Sequence, residues 1–219
     1  MKQAKAWISA TAPGILTMLP SLIVIDDFLK DPHGARRQAM ALDYDPAFKK
    51  GNYPGLLSTK TLDIQGLEDT VSRIIGVRVK PDPNTSHGHC RLTLKADKGR
   101  SGVHIDPCFY SGILYLSLNE HCRGGTDFFR HRRTGLDAVP NDPAQLAATG
   151  YPDANALIED VVNKDTVIAS KWERTSRIPM RFNRLILFKP WQFHNAGPGF
   201  GKDHESGRLV HLMFFAADQ

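Results

Sequence analysis

The spacing of apolar residues changes character near residue 77. Before it, Ile64, Leu67, Val71, Ile74 and Ile75 recur at intervals close to three and four, which predicts an amphipathic helix over 63–76. Upstream, Asp31-Pro32 sets a capping carboxylate before a residue whose ring suits the first helical turn. A helix is therefore predicted from there through Leu42. The run Ser21–Leu29 ahead of it reads as a buried strand leading into a turn, and 43–60, rich in Pro, Gly, Asn and Tyr, reads as loop.

Beyond residue 77 the apolar runs shorten to strand length. Strands are predicted over 90–95, 103–107, 111–118, 126–130, 184–189 and 208–216, with turns at 97–100 and Gly124-Gly125. Residues 134–180 break this rhythm with Pro140, Pro143, Gly150 and Pro152, then a helical stretch around 154–162. They read as an insertion between sheet strands. Helices first and many short strands later predict a mainly β protein with flanking helices (α+β), a sheet sandwich with its helices outside. The 219 residues suit one domain: 1–76 as an N-terminal strand with support helices, and 77–219 as a β core carrying the insertion at about 134–180.

Composition narrows the function classes. No run of 18 apolar residues exists, so no transmembrane helix is expected. The net charge of +5 is small, and the basic residues are scattered except for Arg130-His131-Arg132-Arg133. Nucleic-acid binding is not expected from that balance, whereas a small anion would suit it. Cys90, Cys108 and Cys122 are odd in number and lack CxxC spacing, against a disulfide framework or zinc knuckle. The opening Met1 to Lys5, with Pro13 and Gly14 soon after, shows no signal-peptide pattern, so a reduced cytoplasmic protein is expected.

The candidate chemistry lies in His104-Ile105-Asp106. On a strand, residues two apart share a face, so an imidazole and a carboxylate would project side by side as two ligands of one metal ion. His194, just past the apolar strand 185–188, is the best third ligand. Two histidines and a carboxylate form the facial triad of non-haem Fe(II) oxygenases, leaving positions open for a cosubstrate and dioxygen. His33, His87, His89, His121, His131, His204 and His211 compete for the third place.

In order along the chain come His104-Ile-Asp106, Ile113-Leu-Tyr-Leu-Ser117, Gly124-Gly-Thr-Asp-Phe-Phe129, Leu185-Ile-Leu-Phe188, His194 and Pro198, and Gly207-Arg208-Leu-Val210. With them the chain resembles the Fe(II)/2-oxoglutarate-dependent dioxygenase superfamily, in particular its prolyl-4-hydroxylase-like branch. It further resembles an uncharacterised bacterial group there, with the same Arg-Gly-Gly-Thr and Arg-His-Arg stretches. The resemblance covers residues 90–216 and implies a double-stranded β-helix (jelly-roll, cupin-like) core. It implies an enzyme that hydroxylates a C–H bond of a small molecule, amino acid or peptidyl substrate. Fe(II) would be its metal and 2-oxoglutarate its cosubstrate.

Carried over residue by residue, the resemblance implies that His104, Asp106 and His194 bind iron. Arg208 would pair with the distal carboxylate of 2-oxoglutarate, as a planar permanent cation suits a buried carboxylate, and Tyr115 would donate to the same group. The chain departs from the family at Val210, where Ser or Thr is frequent, and at Ser117, where Asn is usual. Arg130 and Arg132 are candidate contacts for an acidic substrate, and Trp191 a candidate pocket wall. Cys108 reads as a small apolar filler, and His211, three after Arg208, as facing away from it. The same residues leave room for a cupin-type metal enzyme without 2-oxoglutarate, or a binding domain without activity. No membrane partner is expected, and the oligomeric state is open.

Overall fold

The computed structural model describes residues 19–48, 53–99 and 102–218. The reading of the first eighteen residues, and Arg100 at the end of the predicted 97–100 turn, lie outside them. Strand β1 (Leu22–Ile25) leads to helix α1 (Pro32–Met40). The Asp31 carboxylate accepts from the Gly34 amide at 2.8 Å, so the predicted cap forms. Helix α2 (Leu67–Ile75) begins four residues after its predicted start because Gly66 takes a left-handed conformation, φ 73°. Ten strands occur among the described residues. The remaining ones are β2 (Leu56–Thr61), β3 (Val79–Pro81), β4 (His89–Thr93), β5 (Tyr110–Tyr115), β6 (Gly125–His131), β7 (Trp172–Pro179), β8 (Leu185–Phe188), β9 (His194–Ala196) and β10 (Arg208–Ala217).

Seven strands form one antiparallel sheet in the order β1-β8-β5-β10-β4-β2, with β3 also on β10. Three form a second, β7-β6-β9, also antiparallel. The protein is thus mainly β with few helices. Alternation along β10 sorts its side chains into two layers. Leu209, Met213 and Phe215 face a core shared with α1 and α2, including Val71 and Ile75. Val210 and Leu212 face the small sheet and pack with Tyr115, Ile186, Phe188 and Phe128. Arg208 lies two residues before Val210 and so opens on this inner space.

Four expectations change. Strand β1 is a half-buried edge strand rather than a buried one, and Val24 is 41% exposed, because only β8 pairs with it. The 43–60 stretch is not all loop: a 3-10 turn occupies Pro46–Phe48 and β2 begins at Leu56. Its Pro, Gly and Tyr residues precede Leu57 and Ser58, which are buried against β4. Residues 103–107 make one bridge, His104 to His194, instead of a strand, since the Pro107 nitrogen has no hydrogen to continue a ladder. The supposed insertion over 134–180 ends in strand β7, paired along β6. Before it lie α3 (Pro143–Ala148) and α4 (Ala154–Leu157), which runs on into a π-wound turn over Ile158–Asn163. Leu157, Val161 and Val162 pack this segment on Val103, Trp172 and Phe193.

The turn from β7 to β8 is tied to the chain after β1 by Asn183. It holds a left-handed φ of 62°. Its side chain accepts from the Leu29 amide at 2.8 Å and donates to the Leu29 carbonyl at 3.0 Å. Asn183→Ala should lose about 2–4 kcal/mol in urea unfolding, from two broken bonds and a left-handed residue with a Cβ but no amide. Asn183→Gly should lose less, because the backbone strain is relieved; equal losses would refute a contribution from that strain.

Candidate metal centre

The site begins with a reciprocal pair of backbone bonds. The His104 amide donates to the His194 carbonyl at 2.9 Å, and the His194 amide to the His104 carbonyl at 3.0 Å. The Asp106 amide donates to the Pro190 carbonyl at 3.0 Å. The 104–106 segment is therefore fastened beside β9 without being a strand, and the two imidazole centroids stand 4.3 Å apart.

Each histidine is turned by a carbonyl two residues upstream. Nδ1 of His104 lies 3.0 Å from the Gly102 oxygen, and Nδ1 of His194 lies 2.8 Å from the Gln192 oxygen. A carbonyl only accepts, so each Nδ1 carries a hydrogen and each Nε2 is the ring atom left to face the site. Both Nε2 atoms turn toward Asp106, at 3.7 Å for His104 and 3.3 Å for His194. The three donor atoms lie within 4.8 Å of one another. Ligands in adjacent positions at bonds of about 2.1 Å are about 3 Å apart, so a modest inward shift meets a metal.

The charges suit that role. Burial, aided by His194, holds the His104 imidazole down to about 4 despite Asp106, so it is neutral near pH 7 with a free lone pair. Burial would raise the Asp106 carboxyl, but His194, His104 and Ser111 outweigh it and bring it to about 2. Ser111 donates its hydroxyl to the Asp106 carboxylate at 2.6 Å. Cys108 bonds the same hydroxyl at 3.3 Å, and burial pushes its thiol up, so it stays protonated beside the ligands.

Support reaches His104 from outside the sheets. Thr166, three residues past the π-wound turn that follows α4, donates its hydroxyl to the Val103 carbonyl at 2.9 Å, and its own carbonyl accepts from the Val103 amide at 2.8 Å. Gly102, whose carbonyl orients His104, lies so near Thr166 that a Cβ would overlap the threonine hydroxyl and carbonyl. Phe188 flanks His194 at 4.7 Å between ring centroids, and Tyr53 meets His104 edge-on at 5.3 Å. Tyr53 and Thr166 lie in stretches read as loop and insertion, where nothing in the sequence marks them.

Arg208 occupies the inner face of the large sheet. It is 2% exposed, and its Nε and one terminal nitrogen have no hydrogen-bond partner. Burial opposes its charge, which Tyr115 favours. Tyr115, fully buried, shares a hydrogen bond of 2.8 Å with Thr126 on β6. A buried guanidinium with open donors is a costly arrangement unless an anion completes it.

The other sequence candidates are placed as follows. Arg130 and Arg132 are exposed at the end of β6. Trp191 is half-buried and packs on the cluster around Phe193. His211 is buried on the opposite face from Arg208, where burial and His87 hold it down to about 4. His131 differs from its exposed neighbours Arg130 and Arg132. It is fully buried, bonded to Asp165 at 2.9 Å and Thr134 at 3.0 Å, and stacked on Trp172. Arg133 in the same stretch pairs with Asp160 at 2.6 Å.

Comparison with known proteins adds a family and a fold. The model of a family of unknown function, DUF6445, matches residues 15–215. Among solved structures, SnoK, a non-heme alpha-ketoglutarate-dependent carbocyclase from nogalamycin biosynthesis, superposes with a TM-score of 0.51 at 13% identity, covering 90% of this chain and 80% of that one. HygX from Streptomyces hygroscopicus, solved with nickel, 2-oxoglutarate and hygromycin B, gives 0.48 at 12% identity, over 90% and 83%. TqaL, an Fe(II)/(alpha)ketoglutarate-dependent dioxygenase, gives 0.43 at 12%, over the same shares. No curated protein matches the chain. At such identity the SnoK likeness establishes a shared fold.

Gly102→Ala should displace the carbonyl that orients His104. Titration with Co(II), followed by its visible absorption, should show affinity lower by about tenfold or more with the circular dichroism unchanged. Unaltered affinity would remove Gly102 and Thr166 from the support of the centre.

Proposed function

The chain belongs to the family of unknown function DUF6445, and we propose that it is an Fe(II)- and 2-oxoglutarate-dependent oxygenase that hydroxylates a C–H bond. The observation that carries this reading is the joint occurrence of two features on one inner space. One is a two-histidine, one-carboxylate centre in which burial holds His104 neutral. The other is a buried arginine with open donors. The first alone would suit many metal enzymes. The second supplies what a dicarboxylate cosubstrate needs away from the metal. The fold shared with SnoK supports it, and the two facing sheets read as a double-stranded β-helix. The order of the motifs favours the prolyl-4-hydroxylase-like branch.

His104, Asp106 and His194 would hold the iron through two Nε2 atoms and one carboxylate oxygen. When bound, Fe(II) with 2-oxoglutarate supplies the oxidation of a C–H bond by dioxygen, with succinate and carbon dioxide as the cosubstrate's products. Arg208, with its open donors, would hold the distal carboxylate, and the paired hydroxyls of Tyr115 and Thr126 would line that end. Phe128 and Phe188 wall the inner space and restrict water around the centre. The three free thiols suit a reducing, cytoplasmic setting. Among the described residues no helix is long and apolar enough to cross a membrane.

Anaerobic addition of Fe(II) and 2-oxoglutarate should produce a visible metal-to-ligand charge-transfer band. Arg208→Ala should weaken 2-oxoglutarate by about a hundredfold or more, as expected for a buried ion pair that loses one partner, while Fe(II) affinity stays unchanged. Metal binding with no band, and no effect of Arg208→Ala, would overturn the reading in favour of a metal enzyme that does not use 2-oxoglutarate.

A further inference from the structure

A second arginine lies on the same inner face. Strand β4 pairs with β10 so that Thr93 stands opposite Arg208 and Arg91 opposite Val210. Arg91 thus shares the face of Arg208 and Val210. It is half-buried, and its guanidinium carbon lies 5.3 Å from the centroid of the Tyr53 ring. Tyr53 in turn meets His104 at 5.3 Å. One aromatic ring therefore separates a metal ligand from a cation.

No Asp or Glu carboxylate answers that cation. Every Asp and Glu of the sequence is among the described residues, and none forms an ion pair with Arg91. Other arginines with covered or partly covered carboxylate neighbours are paired. Arg177 meets Asp127 at 2.5 Å, Arg184 meets Asp26 at 2.5 Å, and Arg133 meets Asp160. Burial disfavours the charge of Arg91, the Tyr53 side chain offsets part of that, and Arg208 adds repulsion. A half-buried guanidinium beside a second one and without a counter-ion is completed by an anion from outside the chain.

2-Oxoglutarate does not fill this place. In the reading above its distal carboxylate would pair with Arg208 and its other end would be taken up by the centre of His104, Asp106 and His194. We propose that Arg91, braced on Tyr53, binds a carboxylate of the primary substrate, which is therefore an organic acid. The inference rests on the oxygenase reading above. It moves recognition of an acidic substrate from the exposed Arg130 and Arg132 to an inner position beside His104.

The test follows arginine side-chain Nε–H resonances in the full chain labelled with 15N-arginine, with Zn(II) as a diamagnetic metal and 2-oxoglutarate. Arg91→Gln and Arg208→Lys identify the two resonances, and unchanged melting temperatures show that both variants fold. 2-Oxoglutarate should shift Arg208. Acetate, added afterwards at constant ionic strength, should shift Arg91 saturably, and acetamide should not. The Arg91 proposal is overturned if 2-oxoglutarate alone carries Arg91 to its end point and acetate adds nothing, which would make Arg91 a cosubstrate ligand. It is equally overturned if acetate leaves Arg91 in place, or moves exposed Arg130 as much. An Arg208 resonance indifferent to 2-oxoglutarate, with Arg91 still answering acetate, would sink the cosubstrate reading and leave the anion site standing.

Discussion

Two backbone hydrogen bonds between His104 and His194 hold the site together. The residues are 90 positions apart, and neither sits within a long ladder at that point. The bond pair fixes the two Cα positions, the carbonyls of Gly102 and Gln192 then fix the ring orientations, and Asp106 follows two residues later. The placement of the two imidazoles therefore depends on main-chain atoms, which no side-chain substitution removes directly. What a substitution can do is displace the short segment that carries them.

The second organising constraint is how charge is distributed between outside and inside. On the outer side of the small sheet, Asp127 lies between Arg174 and Arg177, and at the edge near β1 Asp26 answers Arg181 and Arg184. The Asp26 pairs are partly exposed and each adds little stability, whereas Asp127 is buried and held by two bonds from Arg177. On the inner face the arrangement reverses: the carboxylate belongs to the metal centre, and the guanidinium groups lack acidic partners. Stability favours the first arrangement, and binding favours the second. The contrast makes the inner cations informative about ligands in a way that the net charge of the whole chain is not.

The sequence showed the metal centre more readily than its surroundings. The HxD triplet is legible because its spacing is local, although its geometry does not come from the strand that spacing suggests. His194 and Arg208 were accessible through motif order, since each borders an apolar strand. The capped helix at Asp31 and the amphipathic α2 followed from local chemistry. Strand β7 was hidden because Trp172 to Pro179 alternates polar residues on an exposed edge strand, with no apolar face to betray it. Tyr53, Thr166 and Arg91 were hidden for another reason. Their roles arise from contacts across the fold, and a tyrosine in a Pro-Gly loop or an arginine in a strand has many ordinary explanations. His131 reads as one of four basic residues until Asp165, 34 positions later, is seen against it.

The close fit of Thr166 on Gly102 and Val103 bears on how such a chain can diverge. The segment between β6 and β7 resembles a detachable ornament, the kind of region where lineages exchange loops to acquire new partners. Here its far end is also the backing of a candidate metal ligand. An exchange of that segment would have to preserve the last turn after α4 and the small residue that it covers. Exchange is least constrained within 140–156, where no residue is buried; ahead of it Asp137 and Val139 bond Phe193 and Trp191 just before His194, and after it Leu157 is fully buried. New substrate preferences could therefore be grafted onto one half of the segment, while the other half remains bound to the chemistry of the centre.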